Sequence, residues 1–377
     1  MLMNIWSDFN KYSTQEWEEK VLNDFKDKAI KDFYWKTEYG EINPFLIKKE
    51  TIEVEKNQNF SEIRWRFDEE SKLNSQILNR LKDGVNSINI DNINFNHSIF
   101  DNVMCSIIQN HIKLSPKTNS SEIELWNNWG NEEVHGTVRM DPLENVLENF
   151  SPSNLQDQFS SYKNYNTIIK NENLKCLYVN GEIYSKNFND FSTEIAFIAA
   201  HFNEIIEYHL SNKIHLPGKV MIQTFLGNSF LESISKIKVI RCIINQIIRI
   251  HRLKIDIYIE TSPNPEILKN KEFDFRLMSI TSTVFSSLLG GVNSFEMSNS
   301  ILENDVDYWK KIMINIPLIL TEESHVKHEI SQGANMVEQI SLKMANTSWK
   351  IFKEIENKNG LVKLIVNKEH TNYYDSK

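Results

Sequence analysis

Residues 315–360, NIPLILTEESHVKHEISQGANMVEQISLKMANTSWKIFKEIENKNG, are the stretch from which the rest of the chain can be placed. They join an apolar helix, a short alternating segment and a long amphipathic helix. In the last of these Val337, Ile340, Met344, Ile351 and Ile355 recur at helical spacing, while Lys343, Lys350, Lys353, Glu354 and Glu356 fill the other face. Asn359-Gly360 then supplies the left-handed residue that ends such helices. Pro317, inside the preceding helical pattern, removes a backbone donor and predicts a kink or an early break.

Upstream, from residue 63 onward, short β-like runs alternate with helical runs. Candidate strands are Asn86–Ile90, His111–Leu114, Gly136–Met140, Leu174–Val179, Lys219–Phe225, Ile255–Glu260, Val292–Met297 and Val326–Ile330. The clearest helical patterns between them are Thr193–Leu210, Ser229–Arg252, Arg276–Leu289 and Val306–Thr321. Strands and helices alternating in this way over about 250 residues predict an α/β fold, a (β/α)₈ TIM-type barrel. Ser229 with Glu232 three residues later reads as a capping box, and Gly290-Gly291 as a helix stop. Segments 116–131 and 151–172 read as longer loops or weak helices. The expected organisation is an N-terminal extension (1–62), the barrel (63–332) and a C-terminal helical segment (333–377).

Composition bounds the function. The 377 residues are 40% hydrophobic and 25% charged, which suits a folded globular protein and excludes disorder throughout. A net charge of -9 opposes nucleic acid, and no basic patch offsets it. Cys105, Cys176 and Cys242 lie far apart without metal-ligand or framework spacing, which fits a reducing cytoplasm. No run reaches the ~18 apolar residues of a membrane span, so no membrane partner is expected. GxxxxGK[ST] and HExxH motifs are absent. His325 and His328, three apart, lack a nearby third ligand and read as ordinary surface histidines. Gly227-Asn228-Ser229-Phe230 resembles half of a nucleophile elbow, but Leu231 replaces the closing glycine.

The opening stretch resembles the end of the catalytic barrel in adenosylcobalamin-dependent methylmalonyl-CoA mutases. There an acidic pair leads to Gly-Ser-Tyr-Tyr-Val-Glu-x-Leu-Thr, and an Ala-Trp helix ends in Ile-Glu-x-x-Gly-Gly. Here Glu322-Glu323-Ser324-His325, Gly333-Ala334-Asn335-Met336-Val337-Glu338-Gln339-Ile340-Ser341, Trp349 and Ile355-Glu356 stand in that order, with both tyrosines gone. Residues 225–241, FLGNSFLESISKIKVIR, resemble the family's Asp-Phe-Phe-x-Glu-Ile-Ala-Lys-x-Arg-Ala-Ala-Arg helix at Phe230, Glu232, Ile234, Lys236 and Arg241. Residues 174–210 resemble its strand, Asn-Gly turn and helix, and 288–291, LLGG, the approach to the seventh strand. Trp35, Thr37, Gly40, Pro44 and Phe45 echo an N-terminal family element, though a Gly-Pro loop held by aromatics explains them more simply. The colinear order runs from about residue 30 to 360.

The resemblance also marks what has changed. The family's Asp-x-His-x-x-Gly motif, whose histidine ligates cobalt, is absent, so no cobalamin domain is expected. The family's Arg-x-His-x-Gln-Thr-Ser-Gly strand end, which reaches the thioester, corresponds to Asp256-Ile257-Tyr258-Ile259-Glu260-Thr261-Ser262-Pro263. Two carboxylates, Asp256 and Glu260, would repel an anionic acyl-CoA. Ile90-Asp91-Asn92-Ile93 stands where the family has a glycine-rich pocket stretch.

The resemblance therefore implies the small, non-catalytic subunit of a heterodimeric methylmalonyl-CoA mutase, the enzyme that interconverts methylmalonyl-CoA and succinyl-CoA in propionate metabolism. Adenosylcobalamin would sit on the large partner subunit, with no catalytic, cofactor or metal residue on this chain. Phe188, Phe191, Trp126 and Trp129 are candidate partner contacts, although core packing explains each as well. The alternative is a stand-alone barrel enzyme using rim carboxylates Asp141 and Glu260 with a histidine such as His135; Arg139 would share that rim, where salt bridges are the simpler reading. A free regulatory barrel is a third reading.

Overall fold

The computed structural model describes residues 10, 12–37, 39–45, 60–68, 72–91, 93, 96–108, 111–118, 122–129, 135–148, 155–188, 190–269, 271–298, 307–326, 331 and 333–373. Its main sheet has eight parallel strands: β1 (Glu62–Phe67), β2 (Ser87–Ile90), β3 (Lys113–Pro116), β4 (His135–Gly136), β5 (Leu177–Asn180), β6 (Lys219–Leu226), β7 (Asp256–Pro263) and β8 (Ser294–Ser298). Their order is β4-β3-β2-β1-β8-β7-β6-β5. β8 pairs with β1 from Ser294 against Glu62 to Ser298 against Arg66, so the last strand lies beside the first.

A helix follows each strand: α1 (Leu73–Lys82), α2 (His97–Met104), α3 (Ile123–Trp129), α4 (Leu155–Ile168), α5 (Phe191–Ser211), α6 (Phe230–Ile250), α7 (Phe273–Gly290) and α8 (Asp307–Leu318). This is a (β/α)₈ fold, as the alternation predicts. β4 and β5 form no ladder among the described residues, but the Val138 N–H donates to the Leu174 carbonyl at 2.9 Å across the seam. On the other side of β4 the backbones lie close. A Cβ on Gly136 would sit 1.9 Å from the Leu114 oxygen, so only glycine fits there.

The core divides in two because every strand is covered on both faces. Trp65, Phe67, Ile88, Leu114, Val179, Ile222, Ile259 and Phe295 belong to the large apolar layer between sheet and helices. Cys176, Tyr178 and Met221, with Tyr258 against them, form a small separate cluster inside the barrel. β1 shows the consequence for sequence reading. Its Glu-Ile-Arg-Trp-Arg-Phe alternation would ordinarily mark a half-exposed strand, yet both faces are buried and the charged side chains point inward.

C-terminal to the barrel, α9 (Asn335–Asn357) lies across α5 and α6. Val337, Ile340, Met344 and Ile355 are buried as their spacing predicts, and Ile351 is half-buried. Lys238 on α6 and Glu338 on α9 form a buried ion pair at 2.8 Å. Lys343 donates to the Glu41 carbonyl at 2.5 Å and Gln339 to that of Asn43 at 2.8 Å, which ties α9 to the N-terminal hairpin Trp35–Thr37 and Gly40–Ile42. Left-handed backbone falls on Asn359 and Gly360, after which the chain continues as α10 (Gly360–Val366).

Several local expectations change. The strand expected at Val326–Ile330 does not include Val326, which is irregular, and 327–330 lie outside the described residues. The strand that completes the eight is instead β1, Glu62–Phe67. Ser229 caps α6 without a side-chain hydrogen bond, so no capping box forms; its ψ of 105° departs from the 162° of Ser13, whose side chain does close a box with Glu16. Pro317 does end regular helix: α8 stops at Leu318 and widens into a π-turn over Ile319–Glu323. Gly291, at φ 83°, caps α7 as the double glycine predicts. His325 follows the π-turn, exposed and on no strand, while His328 lies outside the described residues. Trp126 is fully buried against Phe100, and Phe188 packs on Phe197, so both serve the core and neither is available to a partner. Phe191 is half-buried under the Lys236 ammonium; the Trp129 side chain lies outside the described residues.

Candidate functional site in the barrel lumen

Active sites of this architecture form where strand C-termini open into the lumen. Here that volume is occupied by the protein's own polar side chains. Arg64 and Arg66 enter from β1, Asn89 and Asp91 from β2 and just beyond it, and Ser115 from β3. Arg139 follows β4; Tyr178 and Gln223 come from β5 and β6, Glu260 and Ser262 from β7, and Glu296 from β8. All are buried except Arg66 and Asp91, which are half-buried.

Two arginines organise the mouth. Arg66 forms a fork with Glu182, just after β5, at 3.1 and 2.8 Å, and reaches Glu296 at 2.5 Å. Ser262 donates to Glu182 at 2.9 Å. Arg139 pairs with Asp91, donates to the Ser115 carbonyl at 2.8 Å and lies over the Tyr178 ring at 5.5 Å. Deeper down, Arg64 pairs with Glu260 at 2.9 Å and with Glu62, and donates to Asn89 at 2.9 Å and Ser115 at 3.0 Å. Asn89 in turn donates to Glu260 at 2.9 Å and to Glu296. Lys113 closes the lower end on Glu62 at 2.5 Å.

Glu296 is the carboxylate most raised in this network: Arg64, Arg66, Arg139 and Lys113 pair with Glu62, Asp91, Glu182 and Glu260, and Glu296 shares Arg66 with Glu182. Burial pushes its carboxyl up to about 8, with Glu260, Glu182 and Asp91 adding to the rise and Arg66 opposing it. Glu62, by contrast, is held at about 2 by Arg64 and Lys113 despite its burial. A raised carboxyl means that folding takes up a proton. Stability therefore falls as pH rises from the unfolded value of ~4.3 and levels off near 8, at about 1.4 kcal/mol per pH unit for one proton. Glu296→Gln is expected to remove that slope. Thermal melts of both proteins from pH 5 to 9 should show the variant's advantage growing to pH 8; parallel curves would refute the assignment.

The sequence matches the family described as Methylmalonyl-CoA mutase over residues 42–371, most of the chain. The chain belongs to the methylmalonyl-CoA mutase family. No curated protein matches it individually. Among solved structures, Yersinia pestis DHPS, determined with a pterine-sulfa conjugate, aligns at TM-score 0.39 and 12% identity over 72% of this chain and 100% of that one. That likeness is too low to carry an argument.

Within this mutase-family barrel, the resemblance-bearing residues of β7 separate. Glu260 lies deep in the lumen on Arg64, whereas Asp256 is exposed at the opposite, N-terminal end of the strand. The paired repulsion expected from Asp256 and Glu260 therefore does not arise: one carboxylate is neutralised and the other is outside. Asp141 does sit at the rim, but it accepts from the Leu143 and Asn180 amides at 2.9 and 3.1 Å and meets His201 at 2.9 Å, while His201 meets the Tyr184 hydroxyl at 3.1 Å. His135 starts β4, at the far end from that rim. The trio of Asp141, Glu260 and His135 is thus not brought together, and Arg139 is an ion-paired lumen residue.

Sequence reasoning missed Arg64, Arg66, Asn89, Gln223 and Glu296 as lumen residues. The available signal was polar side chains recurring at every second position of otherwise apolar runs. Two residues that carry the family resemblance on α6 are clamps. Lys236 is buried on Glu194 at 2.5 Å, and Arg241 holds the Ile257 and Gly291 carbonyls at 2.9 and 2.8 Å. Among the described residues no cluster of three or more His, Cys, Asp or Glu could hold a metal, and no helix is long and apolar enough to cross a membrane.

Proposed function

We propose that this chain is the small, non-catalytic subunit of a cytoplasmic, heterodimeric methylmalonyl-CoA mutase, a scaffold that stabilises a large catalytic partner. The observation that carries the reading is the filled lumen. An acyl-CoA thioester and a deoxyadenosyl group would both need the space held by Arg66, Glu182, Glu296, Arg139 and Asp91. Opening it would break several buried ion pairs at once, each costly to leave half-made. The residues present therefore do not fit adenosylcobalamin or its substrate, and no catalytic step is assigned to them. In the complex the cofactor would belong to the partner subunit.

A scaffold subunit of this kind needs an obligate interface, on the order of 2,000 Å² or more and rich in apolar surface. The test is to purify the tagged chain from its own cells, identify co-eluting proteins, and assay the eluate with adenosylcobalamin and methylmalonyl-CoA. Co-elution of a longer chain carrying Asp-x-His-x-x-Gly, with activity that the isolated small chain lacks, supports the reading. Mutase activity from this chain alone would overturn it.

A further inference from the structure

The joint between α9 and α10 is built against carboxylates. Asn359 and Gly360 are both left-handed, and α10 then buries Leu361, Leu364 and Ile365. Glu204 on α5 receives the turn: its Oε1 accepts the Val362 N–H at 3.1 Å, a first-turn amide with no acceptor inside α10. A Cβ on residue 360 would lie 2.3 Å from the same oxygen, so glycine lets the joint approach that closely. Glu356, in the last turn of α9, sits in the field of this carboxylate. Its Oε2 accepts from Asn203 at 3.0 Å, and the Asn203 oxygen lies 2.9 Å from His251 Nε2. Among the described residues its Oε1 is buried without a hydrogen-bond partner.

The titratable groups around Glu356 come from three elements. α5 contributes Glu204 and Glu207, with His201 behind Glu204; His251, after α6, lies 3.7 Å from Glu207. Beyond the joint, Lys358 is engaged by Glu369 at 2.9 Å. An ionised Glu356 would therefore put a second negative charge in the field of Glu204 while leaving one buried oxygen unsatisfied, and protonation of Glu356 relieves that repulsion.

We propose that a proton on Glu356 latches α10 and the residues after it onto α5, so that the C-terminal segment loosens between mildly acidic and neutral pH. Burial, followed by the charges of Glu204 and Glu207, holds Glu356 up to about 7, and burial raises Glu204 as well. Once the latch opens, Glu356 returns to an ordinary carboxyl value of ~4.3. Opening then releases a proton. The opening constant should rise up to about tenfold per pH unit between those two values and stay level above neutrality.

Hydrogen exchange of the full chain from pH 5 to 8.5, corrected for intrinsic rates, reads this directly in the peptide covering 358–373. Protection of Leu361 and Val362 should fall at least about tenfold between pH 5.5 and 7.5. Glu356→Gln, which cannot ionise, should stay protected with a flat profile. Glu204→Gln keeps an acceptor for Val362 and removes the opposing charge, so it should flatten the profile too. A flat wild-type profile, or either variant following the wild-type slope, would overturn the proposal.

Discussion

Arg64→Met is expected to lower unfolding stability by about 3–5 kcal/mol, the usual consequence of removing one partner from a buried ion pair. The Arg64 side chain is 3% exposed and joins Glu62 to Glu260 while donating to Asn89 and Ser115. Methionine fills similar volume without charge, so the loss would come from stranded acceptors and would not be a cavity effect. Glu62 keeps Lys113, but among the described residues Glu260 keeps only the Asn89 and Ser294 donors. Urea unfolding followed by tryptophan fluorescence measures the change. The midpoint should fall with the slope retained. Arg64→Met combined with Glu260→Met should recover much of the loss, because the uncompensated charge is gone. A single variant within 1 kcal/mol of wild type would mean that the lumen network does not hold the barrel together.

Glu194→Ala should have a similarly large effect, about 3–5 kcal/mol, through a different layer of the fold. Glu194, at the start of α5, accepts from buried Lys236 on α6 at 2.5 Å, Thr224 on β6 at 2.9 Å and Ser185 at 2.5 Å. Removing it leaves the Lys236 ammonium with the Phe225 carbonyl at 2.6 Å and the face of the Phe191 ring at 4.7 Å. Burial already lowers the Lys236 pKa, with Glu194 opposing the shift. A lysine depressed on folding releases a proton, so the penalty in the variant should shrink as pH rises toward the ordinary lysine range, about 10. Denaturation at pH 7 and pH 9.5 distinguishes this from simple loss of packing, which would be the same at both.

Most of the barrel was legible because its apolar strands and helices obey simple periodicities. Lys219–Leu226 and Ser294–Ser298 fall within a few residues of where their β-branched and aromatic content puts them. β1 was not, for an energetic reason. Glu62, Arg64 and Arg66 would each be expensive to bury alone, and the acids that pair with the two arginines, Glu260, Glu182 and Glu296, lie 116 residues away or more. Local pattern cannot foresee such pairing. The same holds for Asp141: its rim position follows from β4, but its partner His201 comes from the apolar interior of α5, where a histidine looks like core. Glu260 was visible as a carboxylate in the family's thioester strand, and its charge was misjudged because Arg64 was not yet beside it.

On the proposed reading, this family barrel keeps the architecture while its own side chains occupy the space where substrate would react. Equilibrium dialysis of the purified full chain against methylmalonyl-CoA and, separately, adenosylcobalamin tests that most directly. The account predicts no saturable binding of either below about 1 mM, a ceiling of roughly 4 kcal/mol of binding free energy. Micromolar binding of either one to this chain alone would contradict it.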